Sequence, residues 1–215
     1  NYGCRYLSES CRPISSSSAR AMGYTPCAVC NAPVAEPEQT SFVDVAPNKY
    51  YSEAVDWAVE KGITNGLDKS HFGPQQACTR GQIVTFLWRA AGSPLPRYRV
   101  CPFTDVQPSD YYYNAVLWAV EQGITTGLNA TTFGPDVTVT RGQVATFLYR
   151  AASAAKPNTF NPFADVKTTA YNYNAILWAY DNRITTGTSD TTFSPDAYCT
   201  RAQIVTFLYR YYQGR

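Results

Sequence analysis

Charge is scarce in this chain. Charged residues make up 16% of its 215 residues, against roughly 25% in an ordinary soluble domain. The formal net charge is only +2, too small to argue for nucleic-acid binding by bulk electrostatics. Histidine occurs once, at His71, in a polar stretch that reads as a solvated loop. There is no G-x-S-x-G, no H-E-x-x-H and no phosphate-binding loop, so the common hydrolytic and nucleotide-using centres are missing and the chain reads as non-catalytic. No run of about 18 apolar residues is present, so no membrane-spanning helix is expected. A signal-peptide pattern is also lacking. Position 1 is Asn, the start of a processed chain or of a piece of a longer one.

Tyrosine, by contrast, is abundant at 17 residues, and Thr is frequent. A surface that replaces charge with Tyr and Thr suits carbohydrate contact outside the cell, and equally a secreted protein without a special ligand. The seven cysteines are unevenly placed. Cys4, Cys11, Cys27 and Cys30 crowd the first thirty residues, whereas Cys78, Cys101 and Cys199 are scattered. That split divides the chain into a compact Cys-rich segment (1–33), a polar linker with one Pro (34–41), and the remainder.

The remainder is one pattern written three times, over 42–93, 103–153 and 163–215: F-x-D-V, tyrosines, A-[VI]-x-W-A, I-T-x-G, F-[GS]-P and T-R-[GA]-Q-[IV]. Asp44, Asp105 and Asp165 head the copies. Trp57, Trp118 and Trp178 follow 13 residues later, and Arg80, Arg141 and Arg201 follow 36 residues after the Asp. Repeats of this period cannot bury an apolar face alone and must pack on their neighbours.

Each copy predicts two helices. The first covers Tyr51–Lys61, Tyr112–Gln122 and Tyr173–Asn182, with Ala54, Val55, Ala58 and Val59 as an inward stripe in copy one. Gly62 and Gly123 stop the first two; Arg183 stands at the third stop, which needs another device. The second helix opens on a T-x-x-Q capping box, Thr79/Gln82, Thr140/Gln143 and Thr200/Gln203. Phe72, Phe133 and Phe193 are expected to plug the core between the two helices. Cys78 and Cys199 share a position with Val139, so all three read as small buried packing residues.

Arg80, Arg141 and Arg201 fall at the first turn of the second helix. Two readings stand. A guanidinium beside free helix N–H groups makes a carboxylate- or phosphate-binding corner, or each Arg pairs with an Asp of its own or a neighbouring copy. The Asp itself can cap, pair with Arg or accept sugar hydroxyls. Tyr50, Tyr111 and Tyr171 stand six residues after the Asp; exposed, they would stack on sugar faces, and buried, they would be ordinary packing. The three Trp read as core.

From Phe42 to the C-terminus the chain resembles the S-layer homology (SLH) family. The residues that carry the resemblance are Phe42-Val43-Asp44-Val45, Ala54-Val55, Gly62-Ile63-Thr64-Asn65-Gly66, Phe72-Gly73-Pro74 and Thr79-Arg80-Gly81-Gln82, with counterparts in both later copies. The resemblance implies a mainly α fold, a pseudo-threefold trefoil of three helix-loop-helix repeats. It implies grooves between repeats that bind secondary cell-wall polysaccharide, often pyruvylated, and so a place on the cell wall or surface of a bacterium. The glycan-contacting positions it implies are Asp44, Tyr50, Gly66 and Arg80; Asp105, Tyr111, Gly127 and Arg141; and Asp165, Tyr171, Gly187 and Arg201. Departures are Gln in place of the family's Glu after T-R-x, and Tyr in place of its usual Trp six residues after the Asp. An alternative role is assembly with other surface-protein copies through exposed Tyr clusters.

The first 33 residues resemble the small metal-binding module related to the N-terminal domain of the Ada DNA-repair protein. The resemblance rests on Gly3-Cys4-Arg5-Tyr6-Leu7 and Gly23-Tyr24-Thr25-Pro26-Cys27-x-x-Cys30, and implies a small α+β unit. Cys4, Cys11, Cys27 and Cys30 suit a tetrahedral zinc site, or two disulfides, natural outside the cell. No thioredoxin-like pattern surrounds the C-x-x-C. Arg5, Arg12 and Arg20 are too few to argue for nucleic acid.

Overall fold

In the second half of each repeat the capping box decides where the helix begins. The computed structural model describes residues 42–213. Cys4, Cys11, Cys27 and Cys30, and with them the Ada-like reading, lie outside the described residues. Each N-cap Thr hydroxyl accepts the backbone N–H three residues on, from Gln82, Gln143 or Gln203, at 3.3–3.4 Å. Each Gln side chain in return accepts the Thr N–H at 3.1–3.2 Å. The helices that follow are α2 (Arg80–Ala90), α4 (Arg141–Ala151) and α6 (Arg201–Gln213).

The first helices are α1 (Ser52–Glu60), α3 (Tyr113–Glu121) and α5 (Tyr173–Asp181). They are a little shorter than the apolar spacing predicts, because Tyr51, Tyr112, Lys61, Gln122 and Asn182 serve as caps. No side chain caps their starts. Their ends are Schellman turns: Gly62 N–H donates to the Val59 carbonyl and Ile63 N–H to the Ala58 carbonyl, with Gly62 at φ 65°. The third repeat makes the same turn with Arg183 at φ 57°. A left-handed non-Gly residue costs on the order of 1–3 kcal/mol. A Cβ at the equivalent Gly62 meets nothing within 4 Å, so the only obstacle is backbone strain.

The packing crosses repeat boundaries. α2 packs on α3, α4 on α5, and α6 on α1. Each second helix therefore covers the first helix of the next repeat, and the last repeat closes on the first. Trp57 meets Tyr209 of α6 with ring centroids 5.7 Å apart, and Trp178 meets Tyr149 of α4 at 5.7 Å. Trp57, Trp118 and Trp178 are buried, as are Phe72, Phe133 and Phe193. No helix among the described residues is long and apolar enough to cross a membrane.

At the centre the three repeats join in a closed ring of backbone bonds. Cys78 N–H donates to the Cys199 carbonyl at 3.0 Å, Cys199 N–H to the Val139 carbonyl at 2.9 Å, and Val139 N–H to the Cys78 carbonyl at 2.9 Å. All three side chains are fully buried, and burial pushes the Cys78 and Cys199 thiols up to about 12. Cys101 is only half-buried. Burial raises the Cys101 thiol as well, but Cys101 is the accessible one, so iodoacetamide at pH 8 should label it well before Cys78 and Cys199, because thiolate is the reactive form. Peptide mass mapping of the native protein checks this; early labelling of Cys78 or Cys199 would show that the central ring opens readily.

Candidate functional site

The head Asp of each repeat is spent on its own F-[GS]-P turn. Asp44 accepts the Phe72 and Gly73 N–H groups, both at 2.8 Å. Asp105 accepts those of Phe133 and Gly134, and Asp165 those of Phe193 and Ser194, at 2.7–2.9 Å. The turn so held points its Phe carbonyl at a neighbouring repeat. Arg201 Nε donates to the Phe72 carbonyl, Arg80 Nε to that of Phe133 and Arg141 Nε to that of Phe193, each at 2.8 Å. One peptide unit thus joins carboxylate to guanidinium, N–H on one side and C=O on the other, and such chains of polar groups strengthen one another.

These arginines are 2–4% exposed. Each guanidinium lies between two rings: Arg80 between Phe133 and Phe147, Arg141 between Phe193 and Phe207, and Arg201 between Phe72 and Phe86, at 4.7–5.6 Å from the centroids. None of them has an ion-pair partner among the described residues. The sequence left open a direct Arg–Asp pair or an open helix N-terminus, and the geometry is neither. The helix starts are closed because the next repeat inserts carbonyls into them. Arg80 N–H donates to Val137 and Gly81 N–H to Pro135, with matching bonds from Arg141 and Gly142 to Ala197 and Pro195 and from Arg201 and Ala202 to Gln76 and Pro74. The third N–H is held by the Thr cap.

Gly66, Gly127 and Gly187 sit at φ 81–89°. A Cβ at Gly66 would fall 2.5 Å from the Phe42 ring, and one at Gly127 2.5 Å from the Phe103 ring. Shape and conformation both demand Gly there. The Gly66 N–H donates to the Thr64 hydroxyl, which also accepts from Arg201 Nη2 at 3.4 Å.

Tyr50, Tyr111 and Tyr171 are 60, 60 and 68% exposed, with Tyr50 and Tyr111 set edge-on to Tyr51 and Tyr112. Partial burial raises each phenol pKa, and two guanidinium groups oppose the rise: Arg141 and Arg210 at Tyr50, Arg201 and Arg89 at Tyr111, Arg150 and Arg80 at Tyr171. For the arginines burial lowers the pKa, opposed by Asp105 and Tyr171 at Arg80, by Cys199, Tyr50 and Asp165 at Arg141, and by Cys78, Tyr111 and Asp44 at Arg201.

These partners define three composite sites, each drawn from all three repeats. Site 1 joins Asp44 and Gly66 to Tyr111 and Arg201. Site 2 joins Asp105 and Gly127 to Tyr171 and Arg80. Site 3 joins Asp165 and Gly187 to Tyr50 and Arg141. The four residue types that the sequence singles out do meet, but never from a single repeat.

A further arginine in each site was missed. Arg89 Nη1 donates to the Ile63 carbonyl at 3.1 Å, Arg150 to Ile124 at 3.1 Å and Arg210 to Ile184 at 3.2 Å. The available signal was recurrence: each stands nine residues after the T-R arginine, as 80 to 89, 141 to 150 and 201 to 210 show. Arg89 also borders a cavity of ≈ 380 Å³ with Trp57, Ile63 and Tyr212, and Arg210 one of ≈ 400 Å³ with Trp178, Ile184 and Tyr211.

The family model for the S-layer homology domain matches residues 41–84, 102–145 and 162–205, more than half of the chain. The chain belongs to the S-layer homology family. Among curated relatives, the Surface-layer 125 kDa protein of Lysinibacillus sphaericus is 31% identical over 55% of this chain and 10% of its own length. An endoglucanase from Bacillus sp. (strain KSM-635) is 34% identical over 52% of this chain and 12% of its own. The S-layer protein sap of Bacillus anthracis is 25% identical over 82% of this chain and 22% of its own. The matched segments make up only 10–22% of these relatives' own lengths.

Proposed function

We propose that the three SLH repeats form a non-catalytic module that anchors a protein to the bacterial cell surface by binding secondary cell-wall polysaccharide at the three composite sites. One observation carries this reading. Each site sets an exposed Tyr ring within the field of two guanidinium groups, in a surface otherwise poor in charge. An aromatic face stacks on a sugar ring, and the nearby arginines favour an acidic polymer, such as one bearing pyruvyl ketals. The buried Arg80, Arg141 and Arg201 hold the site's walls and supply its field. The more accessible Arg89, Arg150 and Arg210 offer the donors. The names of the relatives fit an anchoring module: surface-layer proteins and an endoglucanase each match this chain over only 10–22% of their own length.

The test is retention on purified Gram-positive sacculi, before and after the secondary polysaccharide is stripped. Retention should disappear on stripping. Replacing Tyr50, Tyr111 and Tyr171 together with Ala should weaken retention by at least about 100-fold, since one stacked ring contributes on the order of 1 kcal/mol. Because these rings are more than half exposed, the unfolding free energy should stay within about 1.5 kcal/mol of the parent, about 0.5 kcal/mol per ring. Full retention by this variant would remove the basis of the reading.

A further inference from the structure

The three sites are not copies of one another. At Gly81 the Tyr112 ring and the Pro135 carbonyl converge, to 3.0 and 3.3 Å from where a Cβ would stand. That sets Asp136, the residue after Pro135, beside the Tyr111–Tyr112 pair of site 1. At Gly142 the Asn172 side chain and the Pro195 carbonyl converge in the same way, and set Asp196 beside Tyr171 of site 2. The equivalent carbonyl in site 3 is that of Pro74, which accepts the Ala202 N–H at 3.1 Å, and the residue after it is Gln75. The electrostatics agree. Asp136 acts on Tyr111 and Asp196 on Tyr171, whereas the neighbours acting on Tyr50 are Cys199, Tyr51, Arg141 and Arg210, with no carboxylate.

The charge balance follows. Site 1 sets Asp44, Asp136 and Asp110, which is hydrogen-bonded to Tyr112, against Arg89 and Arg201, and site 2 sets Asp105 and Asp196 against Arg80 and Arg150, so neither carries an excess positive charge. Site 3 sets Asp165 alone against Arg141 and Arg210, and one positive charge is left over.

Two independent features of site 3 point the same way. Arg201 and Arg80 reach Thr64 and Thr125 through Nη2, but Arg141 Nη2 is buried with no acceptor, so the Arg141 charge is less compensated inside the protein than its two counterparts. The rim differs as well. Exposed Leu67 and Leu128 lie where a Cβ at Gly73 or Gly134 would come within 2.4–2.5 Å of them, so Leu enforces Gly. In repeat 3 Thr188 replaces the Leu and Ser194 the Gly, and their hydroxyls bond at 2.8 Å.

We propose that site 3 alone takes the carboxylate-bearing sugar of the wall polysaccharide, while sites 1 and 2 take neutral sugars. This rests on the anchoring reading above. The carboxylate can come from a ketal substituent or from a uronic acid, and the recognition chemistry is the same.

Each site has its own reporter, since Tyr111, Tyr171 and Tyr50 belong to sites 1, 2 and 3. The full chain, with its tyrosine rings isotope-labelled, is titrated at low ionic strength with polysaccharide fragments released from sacculi. The fragments are used native, treated with mild acid to remove ketals, or carboxyl-reduced to remove both acids. Carboxyl reduction should weaken the Tyr50 titration about tenfold and leave Tyr111 and Tyr171 within about twofold, the size expected for one partly screened charge. Mild acid matching that loss assigns the acid to a ketal; mild acid without effect assigns it to a uronic acid. Gln75→Asp, an exposed substitution, should abolish the preference at Tyr50, and Asp196→Gln should create one at Tyr171. Equal responses at all three tyrosines, or Gln75→Asp without effect while binding persists, overturns the assignment to site 3 alone. Absence of any tyrosine shift with any fragment overturns the anchoring reading, and the site assignment with it.

Discussion

Arg201→Ala should lower the unfolding free energy by about 3–5 kcal/mol, although the residue makes no ion pair among the described residues. The loss has two parts. Truncation removes the charge-assisted bond from Nε to the Phe72 carbonyl and strands that carbonyl in a site that is 2% exposed at Arg201, an effect of about 1.5–3 kcal/mol. It also empties the slot between the Phe72 and Phe86 rings, and a cavity left by a large buried side chain adds about 2 kcal/mol or more. Lys does not rescue, because a point charge on a flexible stem lacks the planar fork that stacks between rings. Urea unfolding of the parent, Arg201→Ala and Arg201→Lys checks this. A loss below about 1 kcal/mol in both variants would mean that the guanidinium is not a cross-repeat staple. The same reasoning separates stability from binding. Wall retention lost on Arg141→Ala or Arg201→Ala reports a damaged scaffold as readily as a lost contact, whereas loss on removing the exposed tyrosines reports contact.

Much of the fold is legible in the sequence because the deciding interactions are local. The Thr79/Gln82 capping box spans four residues, the Gly62 stop a single turn, and the equivalence of Cys78, Val139 and Cys199 reveals a position that tolerates only small buried groups. Arg183 shows the limit of this reading: its place in the sequence demands an unusual stop, and only the backbone shows that the Arg itself takes the left-handed conformation. The candidate sites are legible as a set of residue types and illegible as assemblies. Recurrence at fixed spacing is the same whether Asp44 works with Arg80 of its own repeat or with Arg201 from the far end of the chain. Only ring closure chooses between them. The helix starts were misread for a related reason, since the carbonyls of Val137 and Pro135 that fill the start of α2 come from the next repeat and no local pattern announces them. Arg89, Arg150 and Arg210 recur as strictly as the T-R arginines, but a basic residue in the last turn of a helix has an ordinary explanation in the helix dipole.

A chain ending at Ala152, without repeat 3, should lose wall retention entirely rather than by one third, and should lose its cooperative unfolding transition. In an open array of repeats each unit contacts only its neighbours, and removing a terminal unit leaves the others standing. Here the array is closed. Without α6, the buried face of α1 loses its cover, including the contacts of Trp57 with Tyr209 and Tyr212. The Cys78 N–H loses the Cys199 carbonyl, and the Val139 carbonyl loses the Cys199 N–H. Site 1 loses Arg201, site 2 loses Tyr171, and site 3 loses Asp165, Gly187 and Arg210, so none of the three stays complete. Calorimetry and sacculus retention of the shortened chain test this together, with repeat 3 added back as a separate polypeptide to ask whether the ring re-forms in trans. Two-thirds of the retention with a sharp transition near the parent midpoint would mean that the repeats act as independent beads. The closed arrangement predicts the opposite because every site borrows from the first, second and third repeat at once, so that binding competence and ring closure are a single event.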